Sequence, residues 1–399
     1  MFQLLILFSS IAFCCCDECS SLAAVSEASL KYGLNELKLE VNKKTTNPII
    51  NSIGTLAGLA CILTAFTEND AYKIMKALNL DQTFTNATQF YDDFQQINIS
   101  RFHEVYNFLL ISSEYPVLEQ FITKMKECKY LQVSVNIDFK TKLHILNSGL
   151  KAYVKNVTAN TTDNCFYETL QLTTNEKLVF LSVNNFQENF HNKFKSNSLK
   201  QLFRNDAVNQ LRVVSLYNRD QHPYFKQDDE CQIIELRIGR YKMIIMLPHS
   251  PDGYINLVNK LNATQLRSIS NRLKKLRESK AMQLVTILLP KFKIASNRKI
   301  TINSTTGLGV LQNTFQTIPG MSTANNLQFS YVSENSAMKI SDSEGAKFGQ
   351  SVNNRHVLTV INMFKVDHPF LIFLFETVTG TDILIYCAAF DAIMKEHQI

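Results

Sequence analysis

Proline and glycine are scarce in this chain, at 8 and 12 of 399 residues, and no proline-rich linker, internal repeat or low-complexity tract divides it. One large domain is therefore the simplest organisation. The motifs that announce enzyme chemistry are missing as well. There is no G-x-S-x-G elbow, no H-E-x-x-H and no phosphate-binding glycine loop. His103-Glu104 lacks the second histidine that a zinc site needs, and the 8 histidines are scattered. Cys16-Asp17-Glu18-Cys19 has C-x-x-C spacing but straddles an expected cleavage site, which removes the redox reading. No enzyme activity, cofactor or metal is expected. The net charge of +6 is modest and no nucleic-acid motif accompanies it, so nucleic acid is not an expected partner. Beyond the N-terminus no segment is long and uncharged enough to cross a bilayer, and no membrane partner is expected.

What is present begins with a short apolar stretch. Residues 1–16, ending Ile11-Ala12-Phe13-Cys14-Cys15-Cys16, have an apolar core too short to span a membrane and small residues at its end. They read as a secretory signal peptide, leaving 17–399 as a single secreted, extracellular domain, expected to be a monomer. Six N-x-S/T sequons agree with secretion: Asn86, Asn98, Asn156, Asn160, Asn262 and Asn303. Cleavage before Asp17 leaves Cys19, Cys61, Cys128, Cys165, Cys231 and Cys387, for which 15 pairings are open. Cys61, inside Leu59-Ala60-Cys61-Ile62-Leu63, and Cys387, after Leu384-Ile385-Tyr386, read as small buried hydrophobes.

Periodicity separates two halves. Leu56, Leu59, Leu63 and Phe66 repeat at helical spacing, and Asn69-Asp70-Ala71 looks like the start of a helix that carries Ile74 and Leu78. The second half alternates toward strands at 178–183, 212–216, 233–237, 243–247, 284–294, 370–375 and 382–388, with one helix from Leu257 to Leu276. Helices first and strands later argue an α+β fold. Arg272, Lys274, Lys275 and Arg277 lie mostly opposite that helix's apolar stripe. Such a face is ordinarily solvated; as a functional site it would attract a polyanion such as a sulfated glycan.

Between Gly345 and His368 lie 22 residues without proline, rich in Val352, Val357, Val360 and other strand formers. A connection this long in a compact domain is usually functional or disordered, and this one is too β-branched for disorder. It reads as a loop presented to a partner, able to become a strand.

The surroundings of that loop resemble the serpin family. Val366-Asp367-His368-Pro369-Phe370-Leu371-Ile372-Phe373 and Thr379-Gly380-Thr381-Asp382-Ile383-Leu384 look like the strand after the family's reactive loop and its final strand pair. Leu289-Pro290-Lys291-Phe292-Lys293-Ile294, then Leu308-Gly309, Phe315 and Gly320-Met321-Ser322, follow at the family's spacing, and Ile233-Ile234-Glu235-Leu236 with 243–248 resembles another of its strand pairs. Asn51-Ser52-Ile53 resembles the family's serine-rich helix start. Leu181–Phe194 matches its sheet-opening motif, with Ser182 where asparagine is usual and Phe190 in place of tryptophan; the chain has no tryptophan.

The resemblance implies a serpin fold, helix-rich in its first half with large mixed sheets and a protruding reactive loop at 345–368. It implies inhibition of a serine or cysteine protease by loop cleavage and insertion of the loop as a strand. The bait falls at Leu358, Thr359 and Val360, and the hinge at Glu344, Gly345, Ala346, Phe348 and Gln350. Strand alternation would bury Ala346, Phe348, Gln350 and Val352 on insertion. Overpacking by the Phe348 ring costs roughly 1–3 kcal/mol, and an unpaired Gln350 amide costs roughly as much again. These residues favour the alternative, a non-inhibitory binding or carrier protein, possible polyanion binding included.

Overall fold

The computed structural model describes residues 2–97, 104–158, 171–192, 194–205, 210–227, 230–291, 293–300, 306–313, 317–341 and 362–393, with side chains from residue 19 onward. Six helices dominate the first 158 residues: α1 (Phe2–Asn42), α2 (Ser52–Leu63), α3 (Glu68–Ala77), α4 (Ala87–Gln96), α5 (Glu119–Glu127) and α6 (Leu143–Thr158). Among them run β1 (Ile49–Asn51), β2 (Glu104–Ser112) and β3 (Gln132–Ile137). The strand-rich half holds β4 (Leu178–Asn189), β5 (Lys195–Arg204), β6 (Gln210–His222), β7 (Tyr224–Gln227), β8 (Cys231–Ile238), β9 (Tyr241–Pro248), β10 (Gln283–Pro290), β11 (Lys293–Lys299), β12 (Phe329–Ser341), β13 (Asn362–Lys365), β14 (Phe370–Val378) and β15 (Thr381–Phe390). Interspersed are α7 (Gly253–Lys260), α8 (Ala263–Glu278) and α9 (Val310–Asn313).

Three sheets result. One has six strands in the order β1-β15-β14-β9-β8-β7, one has four in the order β13-β10-β6-β5, and one has five in the order β11-β12-β4-β2-β3. The α+β expectation holds, with refinements. The predicted 284–294 strand is two strands in different sheets, β10 and β11, separated at Lys291. The predicted 257–276 helix is also two, because Asn262 caps α8 with a full capping box, exchanging bonds with Gln265. α3 starts at Glu68, one residue before its Asn69 signal: Thr67 is the cap, its hydroxyl accepting from the Asp70 N–H at 3.2 Å.

The predicted amphipathic face around Leu56–Leu63 is a helix buried on every side, for all residues of α2 lie in the core. α2 sits between the five-stranded sheet and β15, so it has no solvent face to dress with charge. Cys61, read as a buried hydrophobe, is a correction: it forms a disulfide with Cys128 at the end of α5, with Cα atoms 6.3 Å apart. Cys387 is the buried thiol expected of it, pushed well up by burial.

Candidate functional site

β12 and β4 are neighbours that run parallel, paired from Phe329↔Leu178 to Ser341↔Asn189. Alternation gives their seam two faces. Leu178, Phe180, Phe186, Val332, Met338 and Ile340 belong to the main core; Val179, Leu181, Val183 and Tyr331 belong to a second cluster with residues of α6. The ends of the core face are apolar. Its middle is polar.

On the β4 side the polar groups are neutral. The Asn107 amide on β2 donates to the carbonyls of Gly54 and Tyr130, both at 2.9 Å, and Asn184 donates to Ser182 Oγ at 2.9 Å. The Ser182 and Thr55 hydroxyls are 3.4 Å apart. Gly54 and Gly58 let α2 approach: a Cβ there would meet Asn184 Oδ1 at 2.8 Å and Asn107 Cγ at 2.7 Å.

On the β12 side, Ser296 and Ser336 apart, the polar groups are charged. Arg298 of β11 is opposite Glu334 of β12 in the register and bonds it at 2.7 Å. The same guanidinium bonds Glu36 and lies 3.7 Å from Glu40, both on α1. Glu334 also accepts the Asn51 N–H at 2.6 Å, and Glu36 accepts the Leu308 N–H at 3.1 Å. The Arg298, Glu36, Glu40 and Glu334 side chains are each at most 5% exposed. Burial works against the charged guanidinium, but the carboxylates around it hold its pKa well above its ordinary value. Burial pushes the Glu334 carboxyl up despite Arg298 and the Asn51 N–H. Glu40 moves down, because Arg298, Thr45 and Lys43 outweigh its burial. Gly307, at φ +60, closes the cluster; a Cβ there would overlap Glu36 Oε1.

Of the residues named from sequence, Ser182 lies mid-seam on the core face. Phe190 lies just past β4, bridged to Ile238 and packed on Phe194 with ring centroids 4.4 Å apart. The hinge (Glu344, Gly345, Ala346, Phe348, Gln350) and the bait (Leu358, Thr359, Val360) fall outside the described residues. Their flanks are described: β12 ends at Ser341, and β13 begins at Asn362, paired parallel to β10 in the four-stranded sheet. The exit is firmly held. Gln201 donates to the Val366 carbonyl at 3.0 Å, the Arg204 N–H to the Asp367 carbonyl at 2.9 Å, and His368 lies 2.7 Å from both Asp367 Oδ1 and the Pro248 carbonyl. Burial works against the Asp367 carboxylate, yet His368 and Lys365 hold its pKa down at about 2.

The four basic residues of α8 singled out from sequence do not form one free patch. Arg277 turns inward to bond the buried Glu235, Arg272 lies 3.9 Å over the Phe225 ring, and Lys274 is 4.0 Å from Glu278. Lys275 is exposed. Among the sequons, Asn86 and Asn262 are exposed helix caps whose side-chain oxygens accept from Gln89 and Gln265, which leaves out the amide nitrogen that a glycan would occupy. Asn156 is exposed on α6, and Asn98, Asn160 and Asn303 fall outside the described residues. The buried Arg298 cluster had no signal in the sequence beyond a lone arginine inside a strand.

Comparison with known proteins gives the following. The model of the family Serpin (serine protease inhibitor) matches residues 29–386. Over 292 residues the chain is 25% identical to Iripin-3 of Ixodes ricinus, covering 69% of this chain and 70% of that protein. Its structure is similar to mouse protein-Z dependent protease inhibitor, with TM-score 0.76 and 16% identity over 94% of this chain and 100% of the other. It is also similar to human thyroxine-binding globulin, with TM-score 0.74 and 14% identity over 93% and 99%. The structural likenesses carry the fold alone.

Proposed function

The chain belongs to the serpin family, and from that premise we propose that it is a secreted inhibitor of serine or cysteine endopeptidases, acting by loop cleavage and strand insertion. The observation that carries this reading is the parallel β12–β4 pair. A segment that leaves the end of β12 and doubles back runs antiparallel to β12, and therefore to β4 as well. Entering between them, it would gain a hydrogen-bonded ladder on both edges and lose none to solvent. The segment expected to be the loop follows Ser341, where the β12–β4 pairing ends, and precedes β13 at Asn362. Leu358 at the bait position suits a chymotrypsin- or elastase-like pocket. The Cys61–Cys128 disulfide supports an oxidising compartment, in keeping with residues 1–16 as a signal peptide.

Phe348 and Gln350 favour a second reading, a serpin-fold binding or carrier protein that is cleaved without trapping its protease. Inhibition is a race between insertion and deacylation, and each ~1.4 kcal/mol on the insertion barrier is about tenfold in rate. The deciding experiment incubates the mature protein with a panel of serine and cysteine proteases, followed by denaturing gels. A covalent, denaturant-stable adduct is expected. Cleavage near Leu358 with no adduct for any protease would overturn the inhibitor reading in favour of the second.

A further inference from the structure

A groove of about 310 Å³ lies between α1, the turn after α3 and the start of α8. Lys31, Asn35 and Lys38 line it at i, i+4 and i+7 of α1, and so share one face of that helix. Lys31 is already engaged, 3.4 Å from Glu27 and 3.2 Å from the Thr83 hydroxyl. Lys38 has no acidic partner among the described residues, and partial burial draws its ammonium below the ordinary lysine range. The Asn35 amide nitrogen is buried without a hydrogen-bond partner among the described residues. Leu34 and Leu261, each 3% exposed, form the apolar floor. The facing wall is the N-terminus of the 16-residue α8, the positive end of its dipole.

An ammonium without an acidic partner among the described residues, a second ammonium and a helix N-terminus all favour an acceptor that carries negative charge. The leucine floor favours an apolar body. Asp81 at the rim disfavours a ligand with several negative groups. We propose that this groove binds a small organic monoanion, its carboxylate or sulfate on Lys38 Nζ and a short alkyl or aryl body over Leu34 and Leu261. The site shares no residue with the β12–β4 seam or the loop, and it does not depend on the inhibitor reading.

The test is calorimetric titration of the full mature protein with 4-phenylbutyrate, with 4-phenylbutanol as the neutral control and sucrose octasulfate as the polyanionic one. One-to-one binding of phenylbutyrate is expected, with the alcohol and the octasulfate at least about tenfold weaker. Lys38→Gln should weaken phenylbutyrate about tenfold. Circular dichroism and the thermal midpoint of that variant should be unchanged. Lys275→Gln, on the exposed side of α8, should leave it as it is. Equal binding of the alcohol, preference for the octasulfate, indifference to Lys38→Gln, or no heat at millimolar phenylbutyrate would each overturn the proposal.

Discussion

The two sides of the β12–β4 seam solve one problem differently. Both put polar side chains in the middle of a buried sheet face. On the β4 side they are amides and hydroxyls that bond α2 and each other: Asn107, Ser182, Asn184 and Thr55. On the β12 side the neutral Ser296 and Ser336 are joined by ions, Arg298 among Glu36, Glu40 and Glu334, tying β11 and β12 to α1. A neutral hydrogen bond can be exchanged for another at a net difference of about 1 kcal/mol, whereas parting a desolvated ion pair leaves an uncompensated charge at several times that cost. The difference locates the freedom of the sheet: β4 and β2 can shift over α2, while β11, β12 and α1 hold together. In a protein proposed to admit a strand between β12 and β4, the asymmetry assigns the movement to the β4 side.

The largest effect should come from breaking the ionic side. Arg298→Met leaves the buried Glu36 and Glu334 without their cation, Glu40 keeping Lys43, and should cost about 3–5 kcal/mol in chemical denaturation. Next is the staple on α2. Cys61→Ser with Cys128→Ser removes a crosslink spanning 67 residues, and about 2–4 kcal/mol should be lost from the same unfolding curve. The neutral side should be more forgiving. Asn107→Ala removes the donor to the Gly54 and Tyr130 carbonyls, and about 1–3 kcal/mol is expected. An Asn107→Ala loss equal to that of Arg298→Met would erase the comparison.

The smallest effect lies outside the seam, at the loop's exit. Asp367 titrates at about 2 in the folded chain against an ordinary 3.8. Its folded pKa is depressed, so its contribution is full above pH 3.8 and is lost as pH falls from there toward 2. About 1–2 kcal/mol is at stake, allowing for partial exposure. Asp367→Asn should flatten that part of the pH–stability curve, read by thermal unfolding between pH 2 and 5.

Much of this architecture was legible in the sequence because it is written in local patterns. Alternation gave β4, β6, β8, β9, β10, β11, β14 and β15 but not β5, β7, β12 or β13, and the Asp367-His368-Pro369-Phe370 stretch that the family resemblance singled out lies just after β13. Ser182 and Phe190 were named from the resemblance to the family's motif, and they lie along and just past β4. What escaped notice depends on contacts across long separations. Arg298 reaches Glu36 across 262 positions, and nothing in Ser296-Asn297-Arg298-Lys299 distinguishes a buried guanidinium from a solvated one. Cys61 looked like a small hydrophobe because its neighbours are apolar, and its partner is 67 residues away. The basic run on α8 misled for the opposite reason: helical spacing assigns a face, but cannot say that Arg277 folds back onto Glu235.

The central claim is that the seam between β12 and β4 accepts the segment that follows β12. The direct measurement is the thermal midpoint of the mature protein before and after a protease has cut the loop near Leu358, with the fragments kept together. Insertion adds a fully paired strand, so a clearly higher midpoint after complete cleavage is predicted. An unchanged midpoint with the loop fully cut would contradict it.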